Sequence, residues 1–472
     1  MLFNSVEFLF VFLPITFAVY FLLNKAKLIN LATAWLVVAS LAFYSYWKVD
    51  YLPLILISMV FNYSIGSTIS HDNKLKINKR VMFLIGIIGN VSLLVYYKYF
   101  NFLISNFNAI FSAEFNYMNI VLPLAISFFT FQQIAYLVDS YEGKTKEYDF
   151  LRYALFVTFF PQLIAGPIVH HTEMMPQFAN LRSRFINPKN IALGMFLLSV
   201  GLFKKVVIAD FLSPYVAQIF DVIAKPTFLE TWIGAFAYTF QLYFDFSGYT
   251  DMATGIALLF NILLPQNFNS PLKASSIQDF WRRWHMTLSR FLRDYIYIPM
   301  GGNRAGEKKT YRNLFLTFLI GGIWHGANWT FILWGVFHGI AVCVHRYWLK
   351  TQKTMYSWCS YSLTFLFIVL SFLMFRAQAV ERACVLYNSL FGLNGFGSVM
   401  FDRFRLSFEG GSLKISLFLI IAVIVMAFFM KNSIEWAKNF KPNKLYLTLT
   451  ITMLIVSLLN LNRISEFLYF QF

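Results

Sequence analysis

Three histidines in apolar or aromatic surroundings are the residues of this chain best suited to move a proton. His325 and His338 lie in the uncharged run LTFLIGGIWHGANWTFILWGVFHGIAV, and His285 lies in the arginine-rich stretch QDFWRRWHMTLSRFLRDYIYIPMGGNR. A neutral imidazole can accept the proton of a hydroxyl group while that oxygen attacks a carbonyl carbon. A lone buried histidine is usually a packing residue, but two in one apolar run and a third in the arginine-rich stretch favour a functional site.

The spacing of His325 and His338 restricts how they can act together. They are 13 residues apart, which places them about 220° apart around a continuous helix. Both can face one site only if the chain turns between them. His325 also lies 13 residues past Arg312, or about 20 Å along a helix, which predicts a position near the middle of a bilayer. Glycines at 321, 322, 326, 335 and 339 would let helices or substrate approach the backbone closely.

Two carboxylates interrupt the otherwise apolar run QLYFDFSGYTDMATG. They are Asp245 and Asp251, and Ser247 shares a helix face with Asp251 because the two are four residues apart. A charge in the bilayer centre is costly, so such residues are functional candidates. A structural ion pair with an arginine or lysine of the basic block 282 to 312 is the alternative, and a proton-coupled transporter would also place carboxylates here.

A further polar group lies in SFFTFQQIAYLVDSYEG, which contains Gln132, Gln133 and Asp139. Amides at this depth can simply hydrogen-bond neighbouring helices. A role in lining a substrate path is the alternative interpretation.

The arginine-rich stretch is predicted to form one amphipathic helix. At about 100° per residue, its apolar side chains make one stripe and its arginines gather on the opposite face. Such a helix lies in the cytoplasmic interface or lines a polar cavity, with His285 at the border of the two faces. Pro299, Gly301 and Gly302 should end it, and a plain interfacial anchor remains the alternative. The stripe is Phe280, Trp284, Leu288, Phe291, Leu292 and Tyr295, and the arginines are Arg282, Arg283, Arg290 and Arg293.

The composition indicates a membrane protein, in which lipid-embedded helices position the candidate site residues. With 58% hydrophobic and 13% charged residues and a mean hydropathy of +0.59, the chain has too little polar surface for a soluble globule of 472 residues. The formal charge of +17 comes from lysines and arginines in short loops, which favours a positive-inside topology over nucleic-acid binding.

The three cysteines give no sign of a metal site or of disulfide bonds. Their spacing is neither that of metal ligands nor that of a disulfide framework, and they are Cys343, Cys359 and Cys384.

About a dozen apolar runs are long enough to be transmembrane helices, given a hydrocarbon core of about 30 Å. The first run has no basic region before it and no cleavage site, so we expect it to be a retained span. No linker, internal repeat or low-complexity tract divides the chain, which predicts a single polytopic membrane domain over 1–472. The runs are 6–23, 29–47, 51–69, 81–104, 118–138, 151–169, 190–209, 228–262, the unusual stretch 277–300, two between 313 and 345, 357–375, 413–430 and 445–461.

Lysines and arginines beside these runs predict which loops are cytoplasmic. Successive spans cross the membrane in opposite directions, so these loops predict that both termini lie outside the cytoplasm. The number of crossings must then be even. The marking residues are Lys25 and Lys27, Lys74 to Arg80, Lys144, Lys146 and Arg152, Arg282 to Arg312, Arg346, Lys350 and Lys353, and Lys431 through Lys444.

Several of these blocks together resemble the membrane-bound O-acyltransferase family. FWRRWHMTLSRFLRDYIYIPMGGNR and GGIWHGANWTFILWGVFHG are similar to its signature blocks. SFFTFQQIAYLVDSYEG, LIAGPIVHHTEMMPQF and FDFSGYTDMATGIALLFNILLPQNFNSP resemble its bacterial branch of alginate and peptidoglycan O-acetyltransferase membrane subunits. The matching blocks extend from about residue 120 to 345.

The resemblance implies a funnel-shaped helical bundle whose central tunnel joins a cytoplasmic donor entrance to an extracytoplasmic acceptor side. It assigns catalysis to His325, the principal base, and to His285. An acetyl group would pass from a thioester, acetyl-coenzyme A or an acyl-carrier protein, to a glycan hydroxyl, with no permanently bound cofactor and no metal. The acceptor would be an exported polysaccharide or a partner acetyltransferase outside the bacterial inner membrane. Substrate-binding or tunnel residues are expected to be Asn328, Trp324, Trp284, Arg282, Arg283, Arg293, Asp245, Asp251, Gln132 and His338.

Within this assignment, the developing oxyanion or the donor would be held by His285 or Asn328. Arg282, Arg283 and Arg293 would attract the phosphates of the donor, although ordinary topology explains them equally well. Two alternatives stay open at this point. One is transfer of D-alanyl or longer acyl groups by the same kind of enzyme. The other is a transporter or flippase in which the buried carboxylates couple to protons.

Overall fold

The protein is built almost entirely from helices. A computed structural model describes residues 1–70, 78–145, 149–304, 306–396, 413–461 and 468, and these ranges contain no β-strand. The all-helical class predicted from the sequence is confirmed. Some positions used above to mark cytoplasmic loops, residues 74–77 and Lys146, lie outside the described residues.

Helices α1 to α10 make up the first part of the chain. They are α1 (Phe8–Lys25), α2 (Ile29–Ser45), α3 (Val49–Ser70), α4 (Lys79–Phe111), α5 (Ile126–Tyr141), α6 (Phe150–Thr158), α7 (Phe160–Leu163), α8 (His171–Ala179), α9 (Pro188–Val222) and α10 (Phe228–Leu259). The predicted run 151–169 is divided between α6 and α7. Pro161 at the start of α7 has no backbone N–H to continue the hydrogen bonds of α6, so one helix cannot pass through.

Helices α11 to α19 follow. They are α11 (Ile277–Trp281), α12 (Met286–Leu292), α13 (Glu307–His325), α14 (Trp329–Lys350), α15 (Ser357–Arg376), α16 (Val380–Leu390), α17 (Leu413–Phe428), α18 (Ser433–Lys438) and α19 (Lys444–Leu459). Among the described residues, five helices are long and apolar enough to cross a membrane, namely α1, α3, α4, α9 and α15, and α2 and α19 are shorter apolar helices.

The chain folds into two compact units whose segments alternate along the sequence. The first comprises Met1–Gly201, Tyr249–Pro265 and Phe440–Leu454. The second comprises Leu202–Gly248, Gln266–Asn439 and Ile455–Phe472. The single membrane domain and the funnel shape expected from the sequence stay predictions.

Buried amides join three helices of the first unit. Gln133 of α5 accepts hydrogen bonds through its side-chain oxygen from Ser58 (2.9 Å) and from Asn62, both on α3. Asn62 in turn accepts from the amide of Asn90 on α4 at 2.6 Å. These contacts confirm the helix-bridging interpretation for Gln133. Gln132 is also buried, and its side-chain oxygen has no hydrogen-bond partner among the described residues.

A buried ionic cluster lies inside the second unit. The ammonium group of Lys205 on α9 lies 2.7 Å from a carboxylate oxygen of Asp245 on α10 and 2.9 Å from one of Asp210. All three side chains are at most 3% exposed. The second oxygen of Asp245 accepts the backbone N–H of Leu468 at 3.1 Å. Because all three side chains are buried, each charge depends on the others for its stabilisation.

This cluster corrects the expectation for Asp245. The sequence suggested a partner from the basic block 282 to 312, whereas the partner is Lys205, which no motif had singled out. Lys205 belongs to an apolar helix, and only the fold brings it to Asp245. Asp251 belongs to the first unit and is half-buried, so the two carboxylates of the run have different surroundings.

Close packing of α13 against α14 depends on two glycines. A Cβ atom on Gly322 would lie 2.5 Å from the carbonyl oxygen of Phe331 and 2.8 Å from the Cα atom of Gly335. Backbone atoms cannot move aside as a side chain can. Neighbouring Gly321 is different, because a Cβ there would meet only the side chain of Leu292, at 3.2 Å.

We therefore expect Gly322→Ala to destabilise the protein by about 1 to 3 kcal/mol through overpacking. The matched variant Gly321→Ala should unfold near the wild-type temperature, because the Leu292 side chain can shift. Thermal unfolding in detergent micelles measures both variants. Equal losses in the two would contradict the backbone-contact explanation.

Lys205→Met should also destabilise the protein, by about 3 to 5 kcal/mol, because it leaves two carboxylates buried without their cation. The measurements are the amount of folded protein in membranes and the unfolding temperature. Lys204→Met at the neighbouring position is the control and should have a smaller effect. If Asp245→Asn combined with Lys205→Met recovers no stability over Lys205→Met alone, the pairing is not what stabilises this region.

Candidate functional site

The segment that carries His285 is not the single amphipathic helix predicted from its periodicity. Helix α11 ends at Trp281 and α12 begins at Met286, with His285 between them in the left-handed region at φ +42°. A π-helical turn at Arg293–Tyr297 follows, and the chain then turns through Gly301 and Gly302, both at positive φ. The predicted apolar stripe is largely buried, but the break rotates His285 out of a regular helical position.

His285 is fixed by a buried asparagine. Its Nδ1 lies 3.2 Å from the side-chain oxygen of Asn267, which also accepts the backbone N–H and the hydroxyl of Thr287 at 3.2 and 3.0 Å. The ring packs edge-on to Phe246 at 4.8 Å. A carbonyl oxygen can only accept, so Nδ1 carries the proton and Nε2 is the basic nitrogen. The segment around Asn267 therefore selects the tautomer of His285.

His325 is the last residue of α13, and its ring is enclosed by aromatic rings. The centroids of Trp324, Trp334 and Phe375 lie 5.0, 5.0 and 5.1 Å away, with the last two nearly perpendicular to the imidazole. The side chain is buried. Three aromatic side chains therefore determine where the imidazole of His325 lies.

The chain turns directly after His325, which is the condition that the spacing set for His325 and His338 to face one site. Gly326 lies against the ring of Phe331, where a Cβ atom would overlap the ring. Asn328 then caps α14, since its side chain accepts the backbone N–H of Thr330 at 3.1 Å. The same side chain donates to the carbonyl oxygen of Gln378 at 2.6 Å. Asn328 thus connects the turn to α14 and to Gln378, and its suggested role in holding the donor or the oxyanion stays a prediction.

His338 is fully buried and uses both ring nitrogens. Nδ1 accepts the indole N–H of Trp281 at 3.1 Å, and Nε2 lies 3.2 Å from the hydroxyl of Ser371. Its ring centroid lies 4.4 Å from Trp334, which also contacts His325. These bonds join helices α11, α14 and α15, and the expectation that His338 binds substrate or lines a tunnel stays a prediction.

The arginines expected near the donor entrance differ in their surroundings. Arg283 pairs with Asp279 at 2.8 Å, and Arg293 pairs with Asp294 at 2.7 Å. The hydrogen bond to Asp294 raises the pKa of Arg293. Arg282 is exposed. Trp284 is buried and stacks on Phe280 at 5.5 Å, so it belongs to the core of this unit.

The two proposed catalytic histidines belong to the same unit, whereas Asp251 and Gln132 belong to the other. Aromatic contacts connect the segments of His285 and His325. Trp284 contacts Phe372 at 5.2 Å, and Phe372 lies one helical turn before Phe375. Sequence reasoning missed Asn267, Trp334 and Phe375. The polar string QNFNSP in an apolar context was the available signal for Asn267.

Comparison with known proteins agrees with the sequence motifs. The model of the family described as "MBOAT, membrane-bound O-acyltransferase family" matches residues 139–381. The chain is 51% identical to the peptidoglycan O-acetyltransferase of Helicobacter pylori over 84% of this chain and 80% of that protein. It is 38% identical to the probable alginate O-acetylase AlgI of Pseudomonas aeruginosa, over 91% and 81%.

A more distant similarity is to the teichoic acid D-alanyltransferase of Bacillus subtilis, at 28% identity over 51% of this chain and 62% of that protein. The resemblance inferred from the WHMTLS and WHG blocks is thus confirmed at the level of the family. The chain belongs to the membrane-bound O-acyltransferase family and is an acyltransferase.

Proposed function

We propose that this protein transfers an acetyl group from a cytoplasmic thioester to hydroxyl groups of an exported cell-envelope polysaccharide, in the bacterial cytoplasmic membrane. The 51% identity to a peptidoglycan O-acetyltransferase over most of both chains carries this proposal. Identity to the alginate O-acetylase of P. aeruginosa is lower, at 38%, so peptidoglycan is the first acceptor to test.

His325 is proposed to be the general base. Its neutral imidazole removes the proton of the acceptor hydroxyl as that oxygen forms a bond to the acyl carbon. The carbon–sulfur bond breaks, and the thiolate leaves with the electron pair and takes up the proton from the imidazolium. Burial among Trp324, Trp334 and Phe375 supports this role, because it excludes competing water from the ring.

His285 is proposed to assist at the same centre. With its Nδ1 proton directed at Asn267, it presents Nε2 as the basic nitrogen. A nitrogen of this kind can orient a hydroxyl group by accepting its proton in a hydrogen bond. The family motif and the shared unit of the two histidines support placing it with His325.

The donor is proposed to be acetyl-coenzyme A or an acetylated carrier protein, both thioesters with acidic groups. Exposed Arg282 fits attraction of either donor to the cytoplasmic side. The acetyl group would reach the polysaccharide directly or through an extracytoplasmic acetyltransferase. Transfer of D-alanyl groups has weaker support, since that similarity is 28% over half of this chain. Family membership favours all of these over a transporter.

His325→Ala should abolish polysaccharide acetylation and leave expression and membrane insertion normal, because it removes the base and keeps the contact between α13 and α14 at Gly322 and Gly335. We expect a decrease of at least about 100-fold. The measurement is mass spectrometry of base-releasable acetate on purified peptidoglycan and exopolysaccharide. His345→Ala, which changes a half-buried histidine of α14, is the matched control and should retain acetylation. Full acetylation by the His325→Ala protein would remove the proposed base.

Asn267→Leu should reduce acetylation by about tenfold or more, because His285 loses the acceptor that fixes its tautomer. Asn267→Asp keeps an acceptor oxygen and should retain more activity than Asn267→Leu. Both are compared at equal amounts of folded protein. Equal activity of the two variants would show that the hydrogen bond to His285 is unimportant for the reaction.

A further inference from the structure

The C-terminal end of α15 forms one wall around the His325 ring. Phe375, the penultimate residue of that helix, is buried and lies 5.1 Å from the imidazole at 81°. It also contacts Trp334 at 5.2 Å and Phe331 at 4.9 Å. Any movement of the end of α15 would therefore move the aromatic enclosure of His325.

The carboxylate of Asp221 binds the last residue of α15, Arg376, and also Gln378, which lies two residues beyond the helix. Asp221 accepts from the guanidinium group of Arg376 at 2.6 Å and from the side-chain amide of Gln378 at 3.3 Å. The Arg376 side chain is 12% exposed and its guanidinium group lies 5.5 Å from the ring centre of Phe220. The Asp221 side chain is 30% exposed, so this partly buried ion pair is stronger than one in water.

The same network reaches the turn that carries His325. The backbone carbonyl oxygen of Gln378 accepts a hydrogen bond from the side chain of Asn328. Asn328 lies three residues after His325. Asn328 also caps α14. Asp221 thus connects to the histidine by two routes, through Arg376 and Phe375 on one side and through Gln378 and Asn328 on the other.

Asp221 itself is firmly placed. It lies in the last turn of α9, whose terminal carbonyl groups are bound by the guanidinium group of Arg382. That group donates to the carbonyl oxygens of Ile219, Phe220, Ile223 and Ala224. Carbonyl groups at a helix end lack helical partners, so a cation there is favourable. These bonds keep the backbone around Asp221 in place. Asp221 can therefore restrain the residues that surround His325.

We propose that Asp221 and Arg376 are positioning residues for the base His325. Neither touches the imidazole, and each acts through Phe375 or Asn328 on the placement of the ring. Loss of the pair would let the end of α15 and the turn after His325 shift relative to each other. Displacements of about 1 Å at a reacting group can reduce a rate by about 100-fold, so a small shift is sufficient.

The test compares Asp221→Asn, Asp221→Glu and Arg376→Lys in cells that lack their own copy of this enzyme. The measurement is base-releasable acetate on purified peptidoglycan and exopolysaccharide, divided by the amount of folded protein determined by fluorescence size-exclusion chromatography. We expect Asp221→Asn to lower acetylation per folded molecule by about 10-fold or more. Asp221→Glu, which keeps the charge, should recover a substantial part.

Glu142→Gln is the control, because Glu142 forms an exposed ion pair with Lys144 in the other unit. It should retain wild-type acetylation. If Asp221→Asn lowers only the amount of folded protein and not the acetylation per folded molecule, the pair is merely structural and the proposal is overturned. The same conclusion follows if Asp221→Glu is no more active than Asp221→Asn.

This inference rests on the proposed role of His325, and the two can fail separately. An active His325→Ala protein would refute the base, whatever the Asp221 variants do. An inactive His325→Ala protein together with wild-type acetylation by Asp221→Asn would leave the base in place and refute only the positioning pair.

Discussion

The close contact between α13 and α14 is the constraint on which the site depends. Two helices that meet at Gly322 and Gly335 can approach until their backbones touch, and the chain must then reverse within the three residues that follow His325. The reversal ends α13 at His325 and places Trp334 against that ring and against His338. Without it, the two histidines would lie on different sides of one continuous helix.

Polar groups in a membrane protein must find partners inside the protein, because lipid offers none. This explains why several polar residues that suggested chemistry have structural roles here. Gln133 bonds Ser58 and Asn62, and Asp245 pairs with Lys205. A polar residue predicted to lie deep in the membrane therefore needs a partner inside the protein. Whether it can also take part in a reaction depends on which partner it has.

The helical membrane class, the family and several helix bounds could be predicted from sequence, because composition and local motifs determine them. The predicted run 228–262 corresponds to α10, and 357–375 corresponds to α15. The break at His285 could not be predicted, since periodicity assumes a continuous helix and the bonds between 267–269 and the 283–287 turn are not local. Lys205 and Asp221 were missed for the same reason. Their partners lie 40 and 155 residues away.

The hydrogen bonds of the histidines separate their roles. Trp281 can only donate, so Nδ1 of His338 is an acceptor and Nε2 must carry the proton that goes to Ser371. Protonating His338 would break the first bond, and removing its proton would break the second. His285 has the opposite tautomer and keeps Nε2 as a basic nitrogen. Among these two, only His285 can therefore take part in proton transfer without losing the bond that orients it, and His338 serves instead to hold Trp334 in place beside His325.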